Sequence, residues 1–484
     1  MQENTLYRTP SPWLSLLPIA VLVALLALTI YIFGSDALGG GSQVALLIAT
    51  AVCVAIGMGV LRRPWAIFEE TMVRNISGVG TAIIILLIIG ALSGAWVVSG
   101  VVPTLIYYGV QVIHPDFFLL CSYIICAIVS VMTGSSWTTI ATIGIALMGI
   151  GKAQGFDEGW IAGAIISGAY FGDKVSPLSD TTVLASSTTE TPLFTHIRYL
   201  MYTTVPSMVL ALIIFGVAGL SHEASDTSHI ALFTETLSAK FHITPWLLLV
   251  PIVTGVLIAK RVPSIITLFI STLLAVLFAF LLQPQLLTEI AGSAGGWIDS
   301  TKGAFMMLFG ATHLETGVAE VNDLIATRGM AGMMDTIWLV ICAMCFGGAM
   351  EAGGMIEGIT RLLTRFTQRR TSMVASTVGA GLFFNLATAD QYISIILTGN
   401  MFKDIYRRRG YESRLLSRTT EDAVTVTSVL IPWNTCGMTQ ATILSVSTLT
   451  YLPYCFFNLI SPLMSILVAW TGYKIRRHDD SKEK

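Results

Sequence analysis

Long apolar runs dominate the chain, and polar residues interrupt a few of them at mid-length. Runs of about twenty apolar residues read as membrane-spanning helices. They fall at 12–34, 42–61, 77–97, 199–220, 244–259, 262–283, 332–352 and 452–472. Two more, 159–190 and 415–446, are interrupted spans. The first carries Asp173-Lys174-Val175-Ser176-Pro177-Leu178-Ser179-Asp180 and the second Pro432-Trp433-Asn434-Thr435. Proline removes one helical hydrogen bond and displaces another, which predicts an unwound segment at each break. Two stretches of about 33 residues, 117–150 and 372–404, do not fit as single spans. Their centres are Thr133-Gly134-Ser135-Ser136-Trp137-Thr138-Thr139 and Asn385-Leu386-Ala387-Thr388-Ala389-Asp390. A hairpin that enters half-way, turns and leaves on the same side puts each centre at mid-membrane. Irregular backbone there is tolerated only inside protein or beside a water-filled cavity. Residues 64–75 read as lying along the inner interface, with Glu69 and Glu70 solvated.

Charge tests this topology. With the N-terminus inside and both stretches re-entrant, 22 Lys and Arg lie inside and four outside: Lys152, Lys240, Lys302 and Arg328. That asymmetry follows the positive-inside rule. It also places the Arg361–Arg370 and Arg407–Arg409 clusters on one face, and both termini in the cytoplasm.

The same topology exposes a repeat. Each half reads span, span, span, hairpin, broken span, span. Five crossings per half is odd, so the second half is inverted. Gly78, Ile83, Gly94, Ala95 and Gly100 recur 254 positions later as Gly332, Ile337, Gly348, Ala349 and Gly354. Ser135-Ser136-Trp137 is set against Ala387-Thr388-Ala389 at a spacing of 252, and Ser176–Asp180 against Ile431–Thr435 at 255. Such repeats with interrupted helices point to a mid-membrane site and alternating access. The expected division is residues 1–220, a connector at 221–243, and 244–484 with an outside insertion at 284–330.

Composition agrees. The 484 residues are 54% hydrophobic and 12% charged, where soluble domains carry about 25% charged residues. The fold class is therefore an all-α polytopic membrane protein, and the lipid bilayer is its first partner. A net charge of −2 gives no ground for a nucleic-acid partner. The seven cysteines lie mostly in apolar segments and read as small packing residues. No nucleotide-binding loop is evident, which argues against direct ATP coupling. A transporter rather than an enzyme is expected, with no cofactor beyond sodium and protons.

Asp173 and Asp180 are the best pair for cation binding and proton exchange. Intramembrane carboxylates cost roughly 2.5–3.5 kcal/mol each on insertion scales and mark function by default. Ser176, Ser179, Thr181 and Thr182 add neutral oxygens, which suit a hard cation such as sodium. Thr133, Ser135, Ser136, Thr138 and Thr139 supply more from the first hairpin. Asn385, Thr388, Asp390, Asn434 and Thr435 supply more from the second half. Lys174 either pairs with an aspartate, binds an anionic substrate or caps a carbonyl. Glu351 is either a second proton carrier or a snorkelling interfacial residue. Glu421 and Asp422 read as facing water at the inner end of the second broken span.

The run Thr133–Thr139, followed by Gly168-Ala169-Tyr170-Phe171-Gly172-Asp173-Lys174-Val175-Ser176-Pro177-Leu178-Ser179-Asp180-Thr181-Thr182, closely resembles the NhaC sodium/proton antiporter family. The resemblance covers most of the chain. It implies membership of the ion-transporter superfamily, a bacterial-type inner membrane and a homodimer. It also implies a scaffold of early spans and a mobile region of hairpins and interrupted helices, moving in an elevator-like way. The family includes sodium-coupled malate/lactate exchangers. An organic-anion or amino-acid exchanger, with Lys174, Asn385, Thr388 and Asn434 on the substrate, is therefore the rival expectation.

Overall fold

The computed structural model describes residues 10–33, 40–221, 227–292, 296–363 and 369–476. Among the described residues the regular structure is helical, with one isolated bridge between Thr312 and Thr327. The first half contains α1 Pro12–Phe33, α2 Gly41–Gly59, α3 Trp65–Gly78, α4 Gly80–Val98, α5 Val101–Val112, α6 Phe118–Thr133, α7 Ser136–Thr139, α8 Ile145–Ala153, α9 Glu158–Val175, α10 Asp180–Thr188 and α11 Leu193–Leu220. Then come α12 Thr227–Lys240, α13 Leu249–Ala259, α14 Ser264–Leu282, α15 Pro284–Ala291, α16 Trp297–Phe309, α17 Ala319–Ile325, α18 Gly329–Gly332, α19 Met334–Ala352 and α20 Met355–Leu363. The last part holds α21 Arg370–Thr388, α22 Gln391–Arg408, α23 Ser413–Thr420, α24 Thr435–Leu444, α25 Thr448–Tyr451 and α26 Phe456–Thr471. Single π-helical segments sit at Ile140–Gly144 and Glu421–Thr425.

Seven helices among the described residues are long and apolar enough to cross a membrane, or up to nine if each bent pair is one span. The two interrupted spans add to these as half-helices. α9 stops at Val175, Pro177 breaks the path, and the Ser179 side chain caps the start of α10. In the second half Pro432 sits in the break, and Asn434 caps α24. These caps answer the orphan N–H groups that a broken helix exposes. Outward-facing Val209, Ile213 and Val217 on α11, and Ile266, Phe269, Leu273 and Leu277 on α14, form apolar stripes at helical spacing. Such stripes suit contact with lipid.

Element spacing is regular across the halves. α4 and α19 are both 19 residues long, and their bounds differ by 254 at each end. Each is followed by a left-handed glycine, Gly100 or Gly354, and then by a short helix, α5 or α20. Hydropathy alone did not predict those two short helices. The early spans cross between the halves: α4 packs on α14, α16 and α18, while α19 packs on α2 and α3. Both crossings need glycine. A Cβ on Gly94 would lie 1.8 Å from the Met307 carbonyl oxygen, and one on Gly348 2.8 Å from Met72 Cα. Two large hydrophobic cores and one small one at Leu86, Met333 and Ile337 result among the described residues, and each draws on both halves of the chain.

Other expectations are refined. The segment 64–75 forms α3, with Glu69 and Glu70 exposed. The 284–330 insertion is built largely of four helices, α15 to α18. The connector 221–243 contains α12, with Phe233 and Leu237 buried. Its residues 222–226 lie outside the described residues, as do 364–368 of the Arg361–Arg370 cluster and the tail from 477.

Candidate functional site

Two helical hairpins point their tips at one cavity. In the first, α6 ends at Thr133, Gly134 turns left-handed, and Ser135 caps α7. A Cβ on Gly134 would lie 2.7 Å from Leu178 in the break between α9 and α10, so glycine is required there by both φ and space. In the second, α21 ends at Thr388, Ala389 takes the left-handed turn, and Asp390 caps α22. The tips match at a spacing of 255. Thr133 Oγ1 donates to Ser135 O at 3.1 Å, and Thr388 Oγ1 to Asp390 O at 3.1 Å. Thr133 bonds Thr139 at 3.2 Å, and Thr388 bonds Ser394 at 2.9 Å. The spacing of 252 expected for the hairpins is thereby corrected. The left-handed turn marks the register better than the shared small residues do.

Each tip is tied to the neighbouring broken helix in a matched way. Ser130 Oγ donates to Ala169 O at 2.5 Å, and 255 positions later Asn385 Nδ2 donates to Val424 O at 2.8 Å. Ser136 Oγ donates to Asp173 Oδ2 at 2.7 Å, and in the corresponding place Ser428 Oγ donates to Gln391 Oε1 at 3.1 Å. One carboxylate thus sits on the broken helix in the first half, and one, Asp390, on the hairpin tip in the second.

Asp173 is buried and accepts three hydrogen bonds. Ser136 N–H and Oγ reach Oδ2 at 3.1 and 2.7 Å, and Ser179 Oγ reaches Oδ1 at 2.5 Å. Thr181 Oγ1 lies 2.9 Å from Ser179 Oγ. Asp390 accepts from Ile393 N–H at 2.9 Å and from Thr435 Oγ1 at 3.3 Å. A cavity of about 760 Å³ is lined by Asp173, Asp180 and Asp390, together with Thr133, Ser135, Thr138, Ser179, Thr181 and Thr435. Asp180 is exposed to it at the first turn of α10. Among the described residues no three His, Cys, Asp or Glu side chains cluster as a metal site would require. A cation here would lean on hydroxyl and carbonyl oxygens beside the aspartates.

Several expected residues lie elsewhere. Ser136 stands behind Asp173, and Ser176 Oγ is used by Val131 O at 2.8 Å. Thr388 is spent inside its own tip. Asn385 and Asn434 brace the second hairpin, the latter donating to Asn385 O at 3.1 Å. Lys174 turns away from the cavity and pairs with Asp422, and its Nζ also reaches Ser461 Oγ at 2.9 Å. Glu351 pairs with Arg74 at 2.6 Å and is 36% exposed, so it does not join the site. Glu421 and Asp422 do not face water, because both are completely buried. Gln391, Tyr392 and Trp137 line the cavity and were not anticipated. The positions of Gln391 and Trp137, one or two residues beyond a helix cap, were the available sign.

The Ser136 geometry yields a prediction. Ser136→Ala removes one donor to Asp173 but keeps the backbone donor. The apparent sodium constant should rise several-fold, for a loss of about 1 kcal/mol, with maximal rate largely kept. Ser130→Ala, whose hydroxyl serves a backbone carbonyl, should move that constant much less. Equal shifts in a sodium titration of both variants would make the tip a packing feature only.

Together the fold and site define a polytopic helical membrane protein with an acidic, hydroxyl-rich cavity between two hairpin tips. A profile of the Na+/H+ antiporter family matches residues 168–473. The chain is 34% identical over 470 residues to the Na(+)/H(+) antiporter NhaC of Alkalihalophilus pseudofirmus, covering 97% of this chain and 98% of that one. It is 36% identical over 410 residues to the Na(+)/H(+) antiporter NhaC of Bacillus subtilis, covering 84% and 87%. It is 34% identical over 432 residues to the malate-2H(+)/Na(+)-lactate antiporter of the same species, covering 89% of each. The chain belongs to the Na+/H+ antiporter family.

Proposed function

We propose that this protein exchanges sodium for protons by alternating access across a bacterial-type inner membrane, with both termini cytoplasmic. The proton motive force would drive sodium out. The observation that carries this reading is the convergence of Asp173, Asp180 and Asp390 on one cavity with neutral hydroxyls between them. Asp173 and Asp180 would alternate between sodium and protons. Among the described lining residues Arg261 is the single basic side chain, and it sits at the turn between α13 and α14. An acidic lining favours a cation over an organic anion. The rival reading, a malate/lactate-like or amino-acid exchanger, draws support from the cavity's size and from the malate/lactate relative. Reconstitution into vesicles with a trapped pH dye separates the two. Sodium-dependent proton movement without an organic solute supports antiport, and a strict need for malate, lactate or an amino acid supports the rival.

Two inverted repeats with re-entrant hairpins best account for the matched contacts. The hairpin arms are longer than a half-way entry requires. α21 has 19 residues, about 28 Å of helix against a hydrocarbon core of about 30 Å. Thr377 Oγ1 bonds Tyr406 Oη at 3.0 Å, so α21 and α22 run antiparallel. Crossing of the early spans between halves suits a scaffold beside a mobile hairpin region, as an elevator needs, with a homodimer as the expected assembly. The cavity reaches Gly78–Ala82 and Arg261–Ser264, both on the inside by charge distribution, which corresponds to an inward-facing state. Cysteines placed at Arg369 and Arg409, both exposed, should react with an impermeant reagent from the inner face only. The half-buried Cys121 and Cys345 are first replaced. Labelling from opposite faces would make 372–404 an ordinary span and break the inverted repeat.

A further inference from the structure

A second group of buried ionisable side chains lies on the other side of the α9 terminus, away from the cavity lining. Asp173 and Lys174 are consecutive, yet they serve different neighbourhoods. Asp173 takes its donors from the first hairpin tip and the α9–α10 break, while Lys174 pairs with Asp422 on the π segment. Asp422 Oδ1 also accepts from Thr203 Oγ1 at 3.1 Å and Ser461 Oγ at 3.2 Å. Arg418 lies 3.8 Å from Asp422 Oδ2 and stacks 4.8 Å over the Tyr199 ring. Lys174, Arg418, Glu421 and Asp422 are all 0% exposed.

Glu421 is the acid left without a donor, and the three Arg418 nitrogens likewise make no hydrogen bond among the described residues. Neither carboxyl oxygen has a hydrogen-bond partner, and the Thr425 hydroxyl on the same π turn approaches without closing one. Single π turns inside α-helices occur often at functional sites. Charge counting shows why this group matters. Lys174 and Arg418 are cations and Asp422 is one anion, so the network is neutral only when Glu421 is ionised. Burial without donors opposes that ionisation, and an uncompensated buried cation opposes its loss. The charges acting on Glu421 are Lys174 and Asp173 from α9 and Asp422 from its own segment. Around these stand Asp180 at the start of α10, His196 of α11, bonded to Ser417, and Tyr406 of α22, bonded to Thr377. α26 contributes the neutral Asn458 and Ser461.

We propose that Glu421 is a proton-binding site separate from the cation cavity, and that its proton leaves when a cation occupies the Asp173–Asp180 site. A proton on Glu421 leaves the Lys174 network with one excess positive charge directly behind Asp173. That charge weakens cation binding in front of it. Linkage makes the effect reciprocal, so a bound cation expels the proton. The inference rests on the sodium/proton reading and adds to it a proton carrier outside the aspartate pair.

The test uses the full-length protein in vesicles. Labelled sodium exchange is measured with equal sodium on both sides, at about pH 6 and about pH 8, for the wild type, Glu421→Gln and Glu421→Asp. In the wild type the apparent sodium constant should rise on acidification. In Glu421→Gln the ratio of constants at the two pH values should fall about tenfold, inside the 5–150-fold range of typical site coupling. Glu421→Asp, which keeps a carboxyl, should recover part of it. A wild-type ratio in Glu421→Gln overturns the proposal. If that variant does not reach the membrane, Glu421→Met, which removes the carboxyl and leaves no buried polar group, decides: a lowered ratio supports the proposal and a wild-type ratio overturns it. Absence of sodium-driven proton movement in the wild type would sink the antiport reading itself, which is a different failure.

Discussion

Replacing Asp173 by Asn is expected to abolish sodium-driven proton exchange while leaving the protein inserted. The side chain keeps its size, and one amide oxygen can still accept from Ser136 or Ser179. The negative charge is lost, and with it a group that can carry a proton. A unit charge about 4 Å from a cation contributes about 4 kcal/mol at an effective dielectric near 20. That is about three orders of magnitude in binding. Asp180→Asn should likewise stop exchange, although its side chain is more open to water. The assay is dye-reported proton movement after a sodium pulse, with membrane yield as the control. Full exchange by both single variants would remove this pair from the mechanism.

The largest expected effect on stability belongs to Asp422→Asn. Its carboxylate is the shared anion for Lys174 and Arg418, and it is completely buried. Removing one partner of a buried ion pair costs about 3–5 kcal/mol, because the remaining charge is left without compensation. The variant should unfold in detergent at a clearly lower temperature and accumulate poorly in the membrane. The double variant Lys174→Met with Asp422→Leu should recover much of the loss, since it removes the orphaned lysine as well. An unchanged unfolding temperature in Asp422→Asn would mean that water or another anion satisfies these cations.

The helical membrane character, both helix breaks and the polar turns at 133–139 and 385–390 were legible in the chain, because each depends on residues a few positions apart. Apolar length marks a crossing, and Pro177 and Pro432 forbid continued helix. Ser179 and Asn434 then cap α10 and α24. The expected spans 77–97 and 332–352 contain most of α4 and α19, whose bounds repeat the 254-residue spacing of the small residues. The hairpin register was misjudged by three positions, because Ser, Ala and Thr are too common to align by identity. The left-handed turn that fixes it is a backbone property.

The amino-acid order therefore settled local matters: a helical membrane protein, where two of its helices break, and that Asp173 and Asp180 stand at a break. The partners were decided by tertiary packing alone. It brought Asp390 to the cavity of Asp173, gave Lys174 to Asp422 across 248 positions, and left Glu351 to Arg74 at the edge. It also turned Glu421 and Asp422 from an expected watery end into a fully buried ionic network. The physical reason is that a charge in a membrane protein must find its compensation wherever helix packing delivers it. That packing joins segments from opposite halves of the chain, beyond the reach of any local pattern.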